Sequence, residues 1–258
     1  MGVRIAFLAL SAAILAYLAG CAGGGSFNSG QRAPWRAQAE TACAASGVVR
    51  ASAYVVPMRS IDGPGVCGLT RPLKVAALGG SAGLKPPATI GCPMTAALDR
   101  WVKNTVQPAA YRYYGQPVVE IRQISSFSCR GRNGNNRAHI SEHSFGNAID
   151  IAGFRLANGQ EISVVRGWWR GGQRERGFLA EVYNGACAQF YTVLGPGGDR
   201  HHYNHFHLDL LTKNAKGGRH VCRPERLGRR GIPVAQGGAD TTATGSIKPI
   251  PFVGPGED

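Results

Sequence analysis

The chain is expected to fold as an α+β domain with a mostly antiparallel sheet and flanking helices, braced by disulfides. Three observations lead there. Extended segments bunch around hairpin signals instead of alternating regularly with helices. Of seven cysteines, six remain once Cys21 is set aside, and none sits in a CxxC spacing. Two polar motifs, "SEHSFGNAID" (141–150) and "HYNHFHLDL" (202–210), fall on segments whose alternate residues are apolar.

The elements follow in order. Residues 93–106, "PMTAALDRWVKNTV", read as a helix, because Met94, Ala97, Leu98, Trp101, Val102 and Thr105 share one face. Pro93 suits its first turn and Pro108 is expected to close it. Residues 116–129 read as extended. Residues 147–156 and 161–165 read as paired strands joined by a turn at Asn158-Gly159. Residues 173–190 read as a second helix, and "YTVLG" and "HFHLDL" as further strands. Of the possible disulfide connectivities, the one expected is 43–67, 92–129 and 187–222.

Residues 1–20 hold one charged residue, Arg4, and an apolar run from Ile5 to Leu18. That run is short for a membrane span and reads as a signal peptide. It ends in Leu18-Ala19-Gly20-Cys21, which resembles a bacterial lipobox. The resemblance implies cleavage before Cys21, a lipid on Cys21 and tethering to a membrane. Ala22 after that cysteine resembles outer-membrane sorting, so the expected location is the periplasmic face of the cell envelope. Residues 21–40 are expected to form a flexible tether, 41–225 a single domain and 226–258 a disordered tail rich in Gly, Pro and Thr.

The net charge of +14 falls to +13 without Arg4. Such a charge favours anionic partners such as wall-peptide carboxylates or membrane phosphates. Nucleic acid is not expected, since no Lys/Arg run is interleaved with aromatics.

Strand phasing gives the two motifs a chemical meaning. If 147–152 is a strand, Ile149 and Ile151 point to the core and Asp150 to the opposite, open face. On 205–210, Phe206, Leu208 and Leu210 face the core, while His205, His207 and Asp209 share the other face. Should the two strands be neighbours, Asp150 meets the histidines and His143 folds back over them, with Gly146 permitting the turn. His, Asp and His suit zinc, with a fourth position left for water. A further unligated histidine can move a proton. The first motif then supplies two ligands, and the second one ligand and one base.

Ser141-x-His143-x-x-Gly146-x-Ala148-x-Asp150 resembles the SxHxxGxAxD signature of zinc D-alanyl-D-alanine peptidases, and His205-x-His207 the HxH element of the wider superfamily with lysostaphin-type enzymes and the hedgehog domain. More closely, residues 41–223 resemble the bacterial extensin-like C-terminal domain family. The resemblance implies that His143, Asp150 and His207 hold Zn2+ and that His205 is the catalytic histidine. It also implies an arginine for substrate carboxylate or oxyanion, for which Arg130 or Arg132 is the nearest match, Arg130 being our choice. No Ser-Pro repeat accompanies the 15 prolines, which excludes a fibrous wall-protein role.

Around these residues the expectations are plainer. Asp209 either orients a ligand histidine or is an ordinary strand-end charge. Glu142 is expected to face solvent, and Ser141 to shape the ligand turn. His202 could contact substrate, while His139, His201 and His220 are read as ordinary polar residues. Trp168 and Trp169 are read as core or lid packing, or as a groove lining. The function expected is a membrane-anchored zinc peptidase acting on amide bonds of peptidoglycan stem peptides, of DD or LD type. The alternative is a non-catalytic, zinc-stabilised wall-binding module.

Overall fold

A computed structural model describes residues 32–135, 137–211 and 220–224. The proposed lipobox, Cys21 and the tail expected at 226–258 lie outside these. Among the described residues no helix is long and apolar enough to cross a membrane.

The elements run α1 (Pro34–Ala45), β1 (Val55–Pro57), β2 (Ile61–Asp62), β3 (Gly68–Leu69), β4 (Pro72–Leu78), β5 (Ala82–Gly91), α2 (Cys92–Trp101), α3 (Gln107–Tyr114), β6 (Val118–Ser125), β7 (Ala148–Leu156), β8 (Glu161–Ser163), α4 (Val164–Arg170), α5 (Gln173–Gln189), β9 (Thr192–Leu194), β10 (Phe206–Asp209) and β11 (Val221–Arg223). One sheet has the order β1-β4-β5-β6-β7-β10-β9-β11, with β8 also on β7, and β2 and β3 form a separate pair. Among the described residues only β5–β6 and β9–β11 pair in parallel, so the sheet is mostly antiparallel.

β7 is the strand on which the site depends. It pairs with β6 on one side, and with β10 and β8 on the other. Its inward residues Ile149 and Ile151, with Phe206 and Leu208 of β10, are fully buried. They join a core closed by α2, α3 and α5, where Trp101 meets Phe154 and Phe190 at centroid distances of 6.2 and 6.3 Å. The Trp101 indole N–H donates to the Val182 carbonyl at 3.1 Å, so a large aromatic is buried without stranding its polar atom.

Three expectations need correction. The helix does not end before Pro108: a wider π-type winding over Val102–Val106 leads into α3, which stops at Gly115 in the left-handed conformation (φ 70°). The wider turn removes the backbone bond that a mid-helix proline cannot make. The segment read as tether already contains the start of α1, whose Ala39 and Glu40 are buried. The disulfides are Cys43–Cys92, Cys67–Cys129 and Cys187–Cys222, so only the third matches the expected pairing. The β4–β5 hairpin places Gly91 opposite Pro72, which sets Cys92 at the start of α2 under α1 and leaves Cys67 for the loop after β6.

Candidate metal centre

β10 pairs antiparallel with β7 so that His207 lies directly opposite Asp150, flanked by Phe206 opposite Ile151 and Leu208 opposite Ile149. Directly opposed residues share a face of the sheet. The apolar pairs therefore turn into the core while Asp150 and His207 turn the other way. That face is not open: Asp150, His207, Asp209, His205 and His143 are all buried, and the loop between β6 and β7 supplies His143 itself.

His143 reaches the site from a single 3-10 turn, Glu142–Phe145. Ser141 caps the turn by accepting the His143 backbone N–H at 3.4 Å. Gly146 closes it at φ 58°, where an added Cβ would lie 2.5 Å from a Leu69 methyl, so both the backbone angle and the packing call for glycine.

The hydrogen bonds around the rings fix their tautomers. His143 Nδ1 lies 2.7 Å from the Ser126 carbonyl oxygen, which can only accept, so Nδ1 carries the proton and Nε2 presents a lone pair. His207 Nε2 lies 3.0 Å from Asp209 Oδ2, so Nε2 donates there and Nδ1 is the nitrogen turned toward Asp150. Asp209 is itself held by the Leu211 backbone N–H at 2.9 Å. The two ring nitrogens and Asp150 Oδ1 then face one another: His143 Nε2 is 3.2 Å from Asp150 Oδ1 and 3.2 Å from His207 Nδ1, which is 2.9 Å from Asp150 Oδ1. Three electron-rich atoms at this spacing need a positive charge between them. Ligand atoms about 2.0–2.1 Å from one tetrahedral ion would lie roughly 3.3 Å apart, close to what the side chains adopt. His143, Asp150 and His207 could thus hold a metal ion.

The same arrangement biases the protons. Burial alone would push the Asp150 carboxyl up, but bonds to His143 and His207 outweigh it and hold it well below the usual carboxylate range. Burial opposes charge on His207, yet Asp150 and Asp209 on either side raise it to about 10. His205, just before β10, is driven down to about 4 by burial, with Asp150 opposing and the neighbouring histidines adding to the fall. It is therefore neutral near pH 7. Its Nδ1 donates to the Asn204 side-chain oxygen at 2.8 Å, and its Nε2 lies 3.5 Å from Asp150 Oδ1.

Arg130 stands at the rim. One guanidinium nitrogen is 3.5 Å from Asp150 Oδ2 and the other donates to Ser125 Oγ at 2.9 Å. Arg132 is in a neighbouring cleft, so of the two candidate arginines Arg130 is the one at the centre. His202 is buried with its ring 5.2 Å from that of His205 and 5.5 Å from that of His207, and its Nδ1 lies 2.8 Å from Asp199. Burial lowers the His202 pKa against the pull of Asp199.

Other residues fall elsewhere. His139 and His201 are exposed, and His220 stacks on Tyr191 at 4.6 Å. Trp168 packs on Tyr183 and Phe206 at the core, whereas Trp169 is exposed and donates to the Tyr203 carbonyl. Glu142 corrects its expectation outright: it is buried and takes a two-pronged bond from Arg36 and another from Asn147. Sequence reasoning missed Asp199 and Arg36. Asp199, three residues before His202 in the same polar run, carried a signal in its spacing; Arg36 carried none.

The molecule so defined is an α+β domain with a His-Asp-His constellation beneath one face of its sheet. Residues 41–223 match the family model described as extensin-like protein C-terminus, and the chain belongs to that family. No curated protein and no solved structure matches it.

Proposed function

We propose that the protein is a zinc-dependent peptidase, exported and membrane-anchored, that hydrolyses amide bonds in peptidoglycan stem peptides. The observation that carries this reading is the convergence of two imidazole nitrogens and one carboxylate oxygen, with a neutral histidine beside them that is not one of the three. Imidazole with carboxylate suits zinc among the common divalent ions. When bound, zinc would supply Lewis acidity, polarising a carbonyl and lowering the pKa of water.

The protein's own groups have distinct tasks. Asp209 and the Ser126 carbonyl keep the ligand rings in the tautomers that leave their lone pairs available. His205, neutral and with Nε2 unprotonated, is poised to take a proton from the attacking water and pass it to the leaving amine, help typically worth about 10²–10⁴ in rate. Arg130, fixed by Ser125, can steady the negative charge that builds on the carbonyl oxygen as water adds to the carbon. His202, oriented by Asp199, stands behind His205 as a second polar contact. The signal-like N-terminus, the basic charge and the three disulfides are consistent with a cell-wall substrate outside the cytoplasm.

The test is incubation of the zinc-loaded protein with purified peptidoglycan, followed by fragment masses, beside a His205→Ala variant that keeps its zinc. Fragments from the wild type alone support hydrolysis. Binding without fragments from either protein would leave the wall-binding module instead.

A further inference from the structure

A cleft of about 820 Å³ lies outside the metal centre, bordered by Arg132, Arg137 and Arg200 together with Asn133, Asn135 and Val66. Among the described residues no Asp or Glu lines it. None of the three arginines makes an ion pair with a carboxylate among the described residues, and all three are exposed. Three permanently charged forks around one concavity, without a counter-charge, form a receptor for oxyanions.

Its two walls are the segments that enter the centre. One wall, formed by residues 132–135 and 137–140, runs straight into Ser141 and the turn bearing His143. The other, Arg200-His201, runs straight into His202 and His205. The first wall is pre-shaped. Gly131 bridges Ile140, the Arg132 N–H donates to the His139 carbonyl at 2.9 Å, and the Arg137 N–H donates to Asn135 Oδ1 at 2.9 Å. Asn133 takes a left-handed φ of 57° to complete the turn. Cys67, next to Val66, is bonded to Cys129 at the root of the same loop. A receptor organised before its ligand arrives loses less entropy on binding.

We propose that this cleft is a substrate subsite that holds the carboxylates of an acidic peptide, so that the amide to be cut is presented to the centre from one side. The peptidic character of the substrate rests on the function proposed above; the anion chemistry of the cleft does not. A concave site flanked by asparagine amides suits a peptide, which offers both carboxylates and backbone groups, better than a flat phosphate-bearing membrane.

Arg132→Gln/Arg200→Gln in the zinc-loaded full chain tests this. Calorimetry would follow a synthetic stem-type pentapeptide with free carboxylates, the same peptide amidated, and vesicles containing phosphatidylglycerol. The expected result is at least tenfold weaker binding of the acid peptide by the variant, with zinc content and thermal unfolding unchanged. The amidated peptide should bind wild type and variant equally weakly. Equal binding of the acid peptide by both proteins overturns the proposal, as does arginine-dependent binding of vesicles but not of peptide. Cleavage is scored separately. Arginine-dependent binding without cleavage supports the cleft and removes the peptidase. Cleavage whose KM is unmoved in the double variant removes the cleft and leaves the peptidase.

Discussion

Arg36 and Glu142, far apart in sequence, meet in a two-pronged ion pair of 2.7 and 2.8 Å, both side chains being almost wholly buried. The Arg36 guanidinium also lies 3.8 Å from the centroid of the Phe145 ring. Glu142 precedes the proposed ligand His143, so helix α1 pins the turn that delivers it. Removing one partner of such a pair leaves a buried charge alone, at a cost of about 3–5 kcal/mol. Arg36→Ala should lower the unfolding free energy by that amount in denaturant titration and weaken metal binding, whereas Arg36→Met with Glu142→Leu should recover most of the stability.

Gly146 offers a milder test of the same turn. Gly146→Ala imposes a left-handed angle on a residue with a Cβ and drives that atom into Leu69. A loss of about 1–3 kcal/mol is expected, with a fall in metal affinity larger than any remote mutation of equal stability cost would give. Chelator competition against thermal unfolding separates the two effects.

Asp209 touches no ion in the proposed centre, yet it fixes the His207 ring. Asp209→Asn should reduce metal affinity about 10–100-fold, while His143→Ala or His207→Ala should abolish stoichiometric binding. Metal content after dialysis against a weak chelator ranks the three. An Asp209 variant that holds metal as tightly as wild type would mean that the tautomer is set elsewhere.

The protons of the centre predict a pH profile for the metal-free protein. His207 is raised to about 10 from 6.5, so its stabilisation is complete below 6.5 and lost as pH rises through about 10. Asp150 is lowered from 3.8, so its stabilisation is present above 3.8 and lost as pH falls through its depressed value. In excess chelator, these two groups should give thermal stability a maximum between about pH 4 and 6.5, declining toward pH 10. Metal binding must displace the His207 proton, so apparent affinity should rise about tenfold per pH unit across neutrality.

Much of this was legible in the sequence because strand alternation is a strict period. It set Ile149 and Ile151 against Asp150, and Phe206 and Leu208 against His207, and the sheet has those faces. The paired strands around Asn158-Gly159 and the helix over 173–189 were legible for similar reasons. The disulfides were not, because cysteine pairing follows three-dimensional neighbours and residues carry no mark of them. Glu142 misled because its partner, Arg36, lies in a stretch whose composition resembles a linker. The continuation of the helix through Pro108 depended on a local change of winding that residue propensity does not encode.

The pairing of His207 with Asp150 carries one more consequence. Strand side chains alternate, so a slip of one residue between β10 and β7 would turn His207 toward Trp101 and its neighbours and set a phenylalanine or leucine before Asp150. A misregistered chain would thus be unable to capture an ion at all. Uptake of the proposed ion would double as a quality check on the sheet, and a population that loads fully would, by that fact, have been zipped in step.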